Sequence, residues 1–62
     1  MDFSDKLKQV RTQLSLSQIE FAKELGVAFT TINRWENGKF EPSYRALKKF
    51  DEFCAKNNID FN

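Results

Sequence analysis

Large apolar side chains recur every three to four residues along almost the whole chain, in four runs separated by short breaks. This spacing places the apolar side chains of each run on one face of an α-helix. The pattern predicts helices at about 3–14, 18–25, 29–37 and 43–56. Because the breaks are only a few residues long, we expect a small all-α bundle, a single domain that takes up residues 1–62.

The breaks contain residues that begin and end helices. Ser17 and Glu20 have the spacing of a capping box, which predicts a sharp start for the second helix. Gly26 stands where that helix must end in the left-handed region, a conformation that glycine adopts without a β-carbon clash. Gly38 can end the third helix in the same way, and Ser43 has the position of an N-cap for the fourth.

The apolar faces of the four helices predict one shared core. Its expected members are Leu7, Val10, Leu14, Leu16, Ile19, Ala22, Leu25, Val27, Ile32, Trp35, Leu47, Phe50 and Cys54. Cys54 is expected to be a small buried hydrophobe rather than a redox sensor. After the fourth helix, Ile59 and Phe61 fall on one side of an extended tail. We expect that side to fold back on the core, the alternative being a frayed end.

Composition excludes most kinds of catalytic site. The chain has no histidine and one cysteine, so it cannot build a His/Cys zinc site, a histidine-dependent triad or an internal disulfide. Helix caps and solvated faces account for the carboxylates, and we expect no enzyme, no metal, no cofactor and no small-molecule substrate. The apolar runs are too short to span a bilayer, and the first residues lack a signal-peptide pattern. A cytoplasmic location is therefore expected.

Charge is unevenly distributed along a chain whose net charge is only +1. Residues 1–31 sum to zero, whereas residues 32–49 carry five basic and two acidic side chains, a local net charge of +3. Residues 50–62 carry one basic and three acidic side chains. The third predicted helix and the start of the fourth therefore form the part of the chain best suited to an anionic partner.

The window 18–37 has the spacing of two helices that cross steeply around a tight turn. Ala22 is small where closely approaching helices need a small residue, and Gly26 permits the turn. Ile32 and Trp35 supply apolar anchors for a shared core. The window therefore predicts a helix-turn-helix motif.

Two stretches, L-S-Q-I-E-F-A-K-E-L-G-V at 16–27 and T-I-N-R-W-E-N-G at 31–38, resemble the XRE family of phage-repressor and Cro-type domains. The resemblance covers essentially the whole chain. It implies a bundle of four or five helices that binds double-stranded DNA, with the third helix in the major groove. It also implies that Arg11 and Glu36 form a structural ion pair, for which a solvated surface pair is the alternative.

The outward face of the third helix has the chemistry of base readout. With Ile32 on the inward side, the outward set consists of Phe29, Thr30, Asn33 and Arg34. Arginine can bind guanine in a fork, asparagine can pair with adenine, and threonine and phenylalanine can contact a thymine methyl group. Ordinary helix surface is the alternative. Phe29 replaces a residue that is usually polar in the family, and it either touches a base or packs on the turn.

Phosphate contacts are expected around this helix, from Gln18, Asn37, Lys39 and Tyr44. Gln18 resembles the phosphate-binding glutamine of the family and stands at the positive end of the second helix. Tyr44 offers its backbone N–H at the start of the fourth helix, whereas a cap and a solvated lysine are the alternatives for the other two. Ala28 stands where the family usually has Ser or Thr, which removes a cap and a phosphate contact.

The sequence therefore predicts a sequence-specific transcriptional regulator, expected to be a repressor, or the DNA-binding domain of one. The alternative is a helix-turn-helix domain that serves as a protein-interaction or antitoxin-like module. Asn33 and Arg34 favour DNA, whereas Ala28 and Phe29 lean towards the alternative. Since no second pairing surface is evident, we expect a monomer in solution that dimerises weakly, if at all, on DNA.

Overall fold

The computed structural model describes residues 2–38 and 42–59. They contain four helices, α1 (Phe3–Gln13), α2 (Gln18–Leu25), α3 (Phe29–Glu36) and α4 (Tyr44–Lys56). These two ranges hold no strand. The predicted all-α fold class is confirmed, and no helix end differs from its predicted position by more than one residue. None of the helices in the described ranges has the length and apolar character needed to cross a membrane.

The core lies where the four helices meet. Helix α3 packs against both α1 and α2, and α2 also packs against α4. The buried apolar residues are Leu7, Val10, Phe21, Ala22, Leu25, Ile32, Trp35, Ala46, Phe50, Phe53 and Cys54. The ring of Phe3 meets the rings of Trp35 and Phe50 edge to face, with centroids 5.5 and 5.3 Å apart. Aromatic contacts of this kind join the N-terminal helix to both α3 and α4.

The predicted core was wrong at two positions. Ile19 is 55% exposed and Leu47 is 39% exposed. On α2 the buried side chains centre on Leu25, and at about 100° per residue Ile19 lies roughly 110° away from that centre. Leu47 likewise lies at the edge of the face of α4 that carries the buried side chains.

The prediction also omitted three buried residues, Phe21, Ala46 and Phe53. Phe21 and Phe53 form an edge-to-face pair with centroids 5.3 Å apart, and this pair joins α2 to α4. Three other predicted members, Leu14, Leu16 and Val27, are partly buried and pack against the core.

The segment after α4 closes one side of the core. Cys54 is buried, and burial raises the pKa of its thiol, so it behaves as the small hydrophobe that the sequence predicts. Ile59 packs against the core, and its N–H donates to the carbonyl of Cys54 at 2.8 Å. The predicted return of the tail is thus confirmed for Ile59, whereas Phe61 lies outside the described residues.

Helix α2 begins and ends at well-defined residues. The Ser17 hydroxyl accepts from the Glu20 backbone N–H at 3.0 Å, and the Glu20 carboxylate accepts from the Ser17 N–H at 2.8 Å. This acceptance holds the pKa of Glu20 below its ordinary value. At the other end Gly26 has φ +71°, in the left-handed region. The capping box and the glycine stop are both confirmed, and they fix where α3 can start.

Helix α3 begins without a side-chain cap. Ala28 occupies the N-cap position with extended backbone, φ −74° and ψ 150°, and offers no oxygen acceptor from its side chain. The N–H groups of Thr31 and Ile32 donate instead to the Ala28 carbonyl, at 3.0 and 3.3 Å. The backbone is therefore already in the conformation that a Ser or Thr cap requires.

Ala28→Thr is expected to raise the free energy of unfolding by about 1 kcal/mol, because its hydroxyl would accept from the Thr31 N–H. The matched control is Ala28→Val, which has nearly the same shape and no oxygen. Urea unfolding followed by circular dichroism measures both variants. Equal stabilities for the two variants would contradict the capping argument.

Candidate nucleic-acid interface

Helix α3 has a buried face and an exposed face, as its sequence predicts. Ile32 is completely buried and Trp35 is 5% exposed, so Trp35 is a core residue rather than a stacking platform. The opposite side carries the four predicted base-reading residues, all of them exposed: Phe29, Thr30, Asn33 and Arg34. The ring of Phe29 stays 45% exposed at the start of the helix, so it does not pack fully on the turn.

Glu36, the last residue of α3, is the only buried charged side chain among the described residues. Its carboxylate accepts two hydrogen bonds from Arg11, from Nε at 2.6 Å and from Nη2 at 3.0 Å. The Nη1 atom of Arg11 donates to the Leu16 carbonyl at 3.0 Å, just before α2. This bidentate pair joins α1, the α1–α2 connection and the end of α3.

The contact of Ser4 with the end of α3 was not predicted from the sequence. The Ser4 hydroxyl donates to the backbone carbonyl of Glu36 at 2.8 Å. A serine in the first turn of a helix carries no sequence signal for a partner 32 positions away. The bond holds the main chain of Glu36 while Arg11 holds its side chain.

Gln18 is the first residue of α2 and is half buried. It lies on the same side of α2 as Ala22 and Leu25, which turns its side chain towards α3. Its Nε2 donates to Oε1 of Glu36 at 3.1 Å. The residue expected to bind a phosphate is therefore bonded to the buried carboxylate at the end of α3.

Two further amides continue from Gln18 along the exposed side of α3. Nδ2 of Asn33 donates to Oε1 of Gln18 at 3.3 Å, and Nδ2 of Asn37 donates to Oδ1 of Asn33 at 3.0 Å. We call Glu36, Gln18, Asn33 and Asn37 the amide relay. The four-residue spacing of Asn33 and Asn37 is a sequence signal for their bond. The bond between Gln18 and Asn33 joins two helices, and nothing local predicts it.

Helix α4 begins next to α3. Tyr44 is its first residue and is 81% exposed, and the N-cap hydroxyl of Ser43 accepts from the Ala46 N–H at 3.2 Å. Ser43, Thr31, Arg34 and Trp35 line one groove of about 150 Å³. The groove brings Arg34 and the start of α4 together. Lys39, the fourth predicted phosphate contact, lies outside the described residues.

Within residues 2–38 and 42–59, no group of three or more His, Cys, Asp or Glu side chains could hold a metal ion. The polar side chains exposed on α3, and next to it at the starts of α2 and α4, include hydroxyls, amides and a guanidinium. The hydroxyls and amides can both donate and accept hydrogen bonds, and the guanidinium only donates. Such a surface suits a partner rich in oxygen acceptors, such as the phosphates and base edges of a nucleic acid.

Comparison with known proteins agrees with this geometry. A family model described as helix-turn-helix matches residues 7–57. The HTH-type transcriptional activator BcrR of Enterococcus faecalis is 42% identical over 55 residues, which are 89% of this chain and 27% of BcrR. The uncharacterized HTH-type transcriptional regulator MJ0272 of Methanocaldococcus jannaschii is 41% identical over 49 residues, which are 79% of this chain and 74% of that protein.

No solved structure matches the chain. The chain spans about a quarter of the length of the first relative and about three quarters of the second. The family match covers all of α2 and α3, the connection between them and most of the rest of the bundle. The chain therefore belongs to the XRE-type helix-turn-helix family.

Proposed function

We propose that this chain is the sequence-specific DNA-binding domain of a transcriptional regulator, with α3 in the major groove of double-stranded DNA. The observation that carries the proposal is the exposed polar face of α3, flanked by Gln18 at the start of α2 and by the start of α4. The names of both relatives describe transcriptional regulators. The repressor role expected from the sequence stays a prediction, since one relative is named an activator.

In this proposal Phe29, Thr30 and Arg34 contact base edges. Arg34 forks onto guanine, and the other two provide a hydroxyl and an apolar surface. All three side chains are exposed, and Phe29 and Thr30 are the first two residues of α3, which supports this assignment. The N-terminal part of a recognition helix is the part that reaches base edges.

Phosphates on either side of the groove would be held by Gln18 and Asn37, by the Tyr44 backbone N–H and by Lys39. The first N–H groups of a helix have no partner within the helix, and the helix dipole favours an anion there. Both α2 and α4 begin with an N-cap serine at the proposed DNA surface, which supports this arrangement. The mechanism involves binding only and includes no catalytic step.

Arg34→Ala is expected to weaken binding to the preferred duplex by about 1–3 kcal/mol and to relax the base preference at one position. The reason is that a forked guanidinium distinguishes guanine from the other bases, whereas a phosphate contact treats all sequences alike. Fluorescence titrations against the preferred duplex and a scrambled duplex, at one salt concentration, measure the effect.

The matched control is Arg34→Lys, which keeps the positive charge and removes the fork. We expect it to retain the affinity for scrambled DNA and to lose preference for the guanine. Circular dichroism confirms that both variants fold. Equal loss of affinity for the two duplexes in Arg34→Ala would rule out base readout by this residue.

We also propose that the free chain is a monomer in solution. Ile59, one of the two apolar residues of the tail, packs against the core of its own chain and is not available to hold a partner. One module reads only a few base pairs, which is why domains of this kind usually pair on two half-sites. Without an evident pairing surface, two copies of this chain would pair weakly, if at all, on DNA. Sedimentation equilibrium of the free chain tests this, and a stable dimer without DNA would contradict it.

The alternative, a helix-turn-helix module that binds another protein, has one observation in its favour, the exposed ring of Phe29. The two functions differ in one cheap experiment. Selection from a random pool of duplexes enriches a defined sequence if the chain reads DNA, and enriches none if it only binds protein.

A further inference from the structure

The amide relay has a direction that is set by the one buried charge. Oε1 of Glu36 already accepts from Arg11, and an ionised carboxylate can only accept hydrogen bonds. Gln18 must therefore turn its NH₂ group, and not its oxygen, towards Glu36. The oxygen and the NH₂ group of an amide have nearly the same shape, but only the NH₂ group can donate to a carboxylate.

The same constraint passes from one amide to the next. With its nitrogen on Glu36, Gln18 presents its oxygen to Asn33, so Asn33 must donate through Nδ2. Asn33 then presents its own oxygen to Asn37, which donates in turn. One carboxylate at the end of α3 thus sets the orientation of three amides.

We propose that Asn33 is a positioning residue that holds Gln18 for its phosphate contact, and not a reader of adenine as its residue type suggests. This inference rests on the proposed function and deepens it. Both ends of the Asn33 amide are engaged with protein groups, Nδ2 with Gln18 and Oδ1 with Asn37. These two bonds fix the amide plane and turn it towards Gln18 and Asn37, whereas bidentate pairing with adenine requires the oxygen and the nitrogen of one amide edge to face the base.

The arrangement leaves Gln18 with the group that a phosphate requires. Its NH₂ carries two hydrogens, and Glu36 takes one of them. The second N–H is available to a phosphate oxygen, which is an acceptor only. Asn33, bonded to the oxygen of the same amide, prevents the rotation that would replace this donor by an acceptor. The relay therefore links the proposed phosphate contact to the recognition helix.

A double-mutant cycle on DNA binding separates this role from base readout. We expect Gln18→Ala to weaken binding to the preferred duplex about tenfold and Asn33→Ala about three- to tenfold, as for loss of a hydrogen bond. If Asn33 acts through Gln18, the double variant should bind about as weakly as Gln18→Ala alone.

The matched control cycle pairs Gln18→Ala with Thr30→Ala, on the same exposed face of α3 and with no hydrogen bond to Gln18 among the described residues. In this control the two fold-changes should multiply. Selection from a random pool adds a second readout: Asn33→Ala should enrich the same sequence as the unmodified chain. Thermal unfolding of every variant tests whether a change in binding reflects loss of fold.

Two results would overturn the proposal. One is multiplication of the Gln18→Ala and Asn33→Ala effects; the other is loss of preference for one adenine in Asn33→Ala. A separate measurement uses the free protein: NMR signals of the Asn33 and Asn37 side-chain NH₂ groups should shift in Gln18→Ala and stay in place in Thr30→Ala.

Unchanged Asn33 signals in Gln18→Ala would show that the relay does not form, whatever the DNA result. If the unmodified chain binds no duplex, the proposed function fails and the phosphate role of Gln18 fails with it. The NMR result then still decides whether the amides act as one hydrogen-bonded unit. The failure of the relay and the failure of the function are thus distinguishable.

Discussion

Replacing Trp35 with alanine is expected to lower the free energy of unfolding by about 3–5 kcal/mol, which is the whole stability of a domain this small. The indole is 5% exposed and meets the ring of Phe3 edge to face, so its loss opens a cavity between α1 and α3. The variant should be largely unfolded at room temperature. Urea titration followed by the helical circular dichroism signal measures the change.

Trp35→Phe is the control, because it keeps a ring in the core and removes the indole N–H. That N–H is buried without a hydrogen-bond partner among the described residues, so its loss leaves none of their acceptors unpaired. We expect a loss of about 1–2 kcal/mol from the smaller ring alone. An alanine variant within about 1 kcal/mol of the unmodified chain would show that Trp35 is not central to the core.

Arg11→Met is expected to lower the free energy of unfolding by about 3 kcal/mol, the lower part of the range for breaking a buried ion pair. The change leaves the Glu36 carboxylate, 5% exposed, with the amide of Gln18 in place of a guanidinium. The side chain of Arg11 is itself 21% exposed, which is why the lower part of the range applies. Thermal and urea unfolding measure the loss.

Two controls separate charge burial from simple loss of a side chain. Lys8→Met removes an exposed positive charge from the same helix and should change stability by less than about 0.5 kcal/mol. The double variant Arg11→Met with Glu36→Gln removes both charges, and it should be more stable than Arg11→Met alone. A double variant as unstable as the single would mean that packing of the arginine stem, and not its charge, is what matters.

The helices could be predicted from the sequence because each carries its own signals. Ser17 with Glu20, and Gly26, act within a few residues of where they stand, and the structure has them as predicted. The core was less predictable. Ile19 and Leu47 are apolar and on helical spacing, yet they lie off the buried faces, since apolar residues outnumber the places that a small core offers.

In the candidate site, too, some features could be predicted from the sequence and others could not. The exposure of Thr30 and Arg34 follows from the period of α3, so the sequence alone was sufficient. The hydrogen bonds from Gln18 to Glu36 and to Asn33 join α2 to α3. The bonded residues are 18 and 15 positions apart in the sequence. Such bonds depend on how α2 crosses α3. Sequence spacing therefore identified the residues of the relay but not that they contact one another.

The two faces of α3 differ in how many substitutions they tolerate, and this difference affects how proteins of this kind diversify. The buried face, with Ile32 and Trp35, carries the fold and tolerates little change. Substitutions at exposed positions such as Phe29 and Thr30 leave the core intact and change only the surface that α3 presents to a partner. A duplicated copy of this chain could therefore acquire a new target through a few surface exchanges, whereas Asn33, bonded to Gln18, would have to change together with its partner.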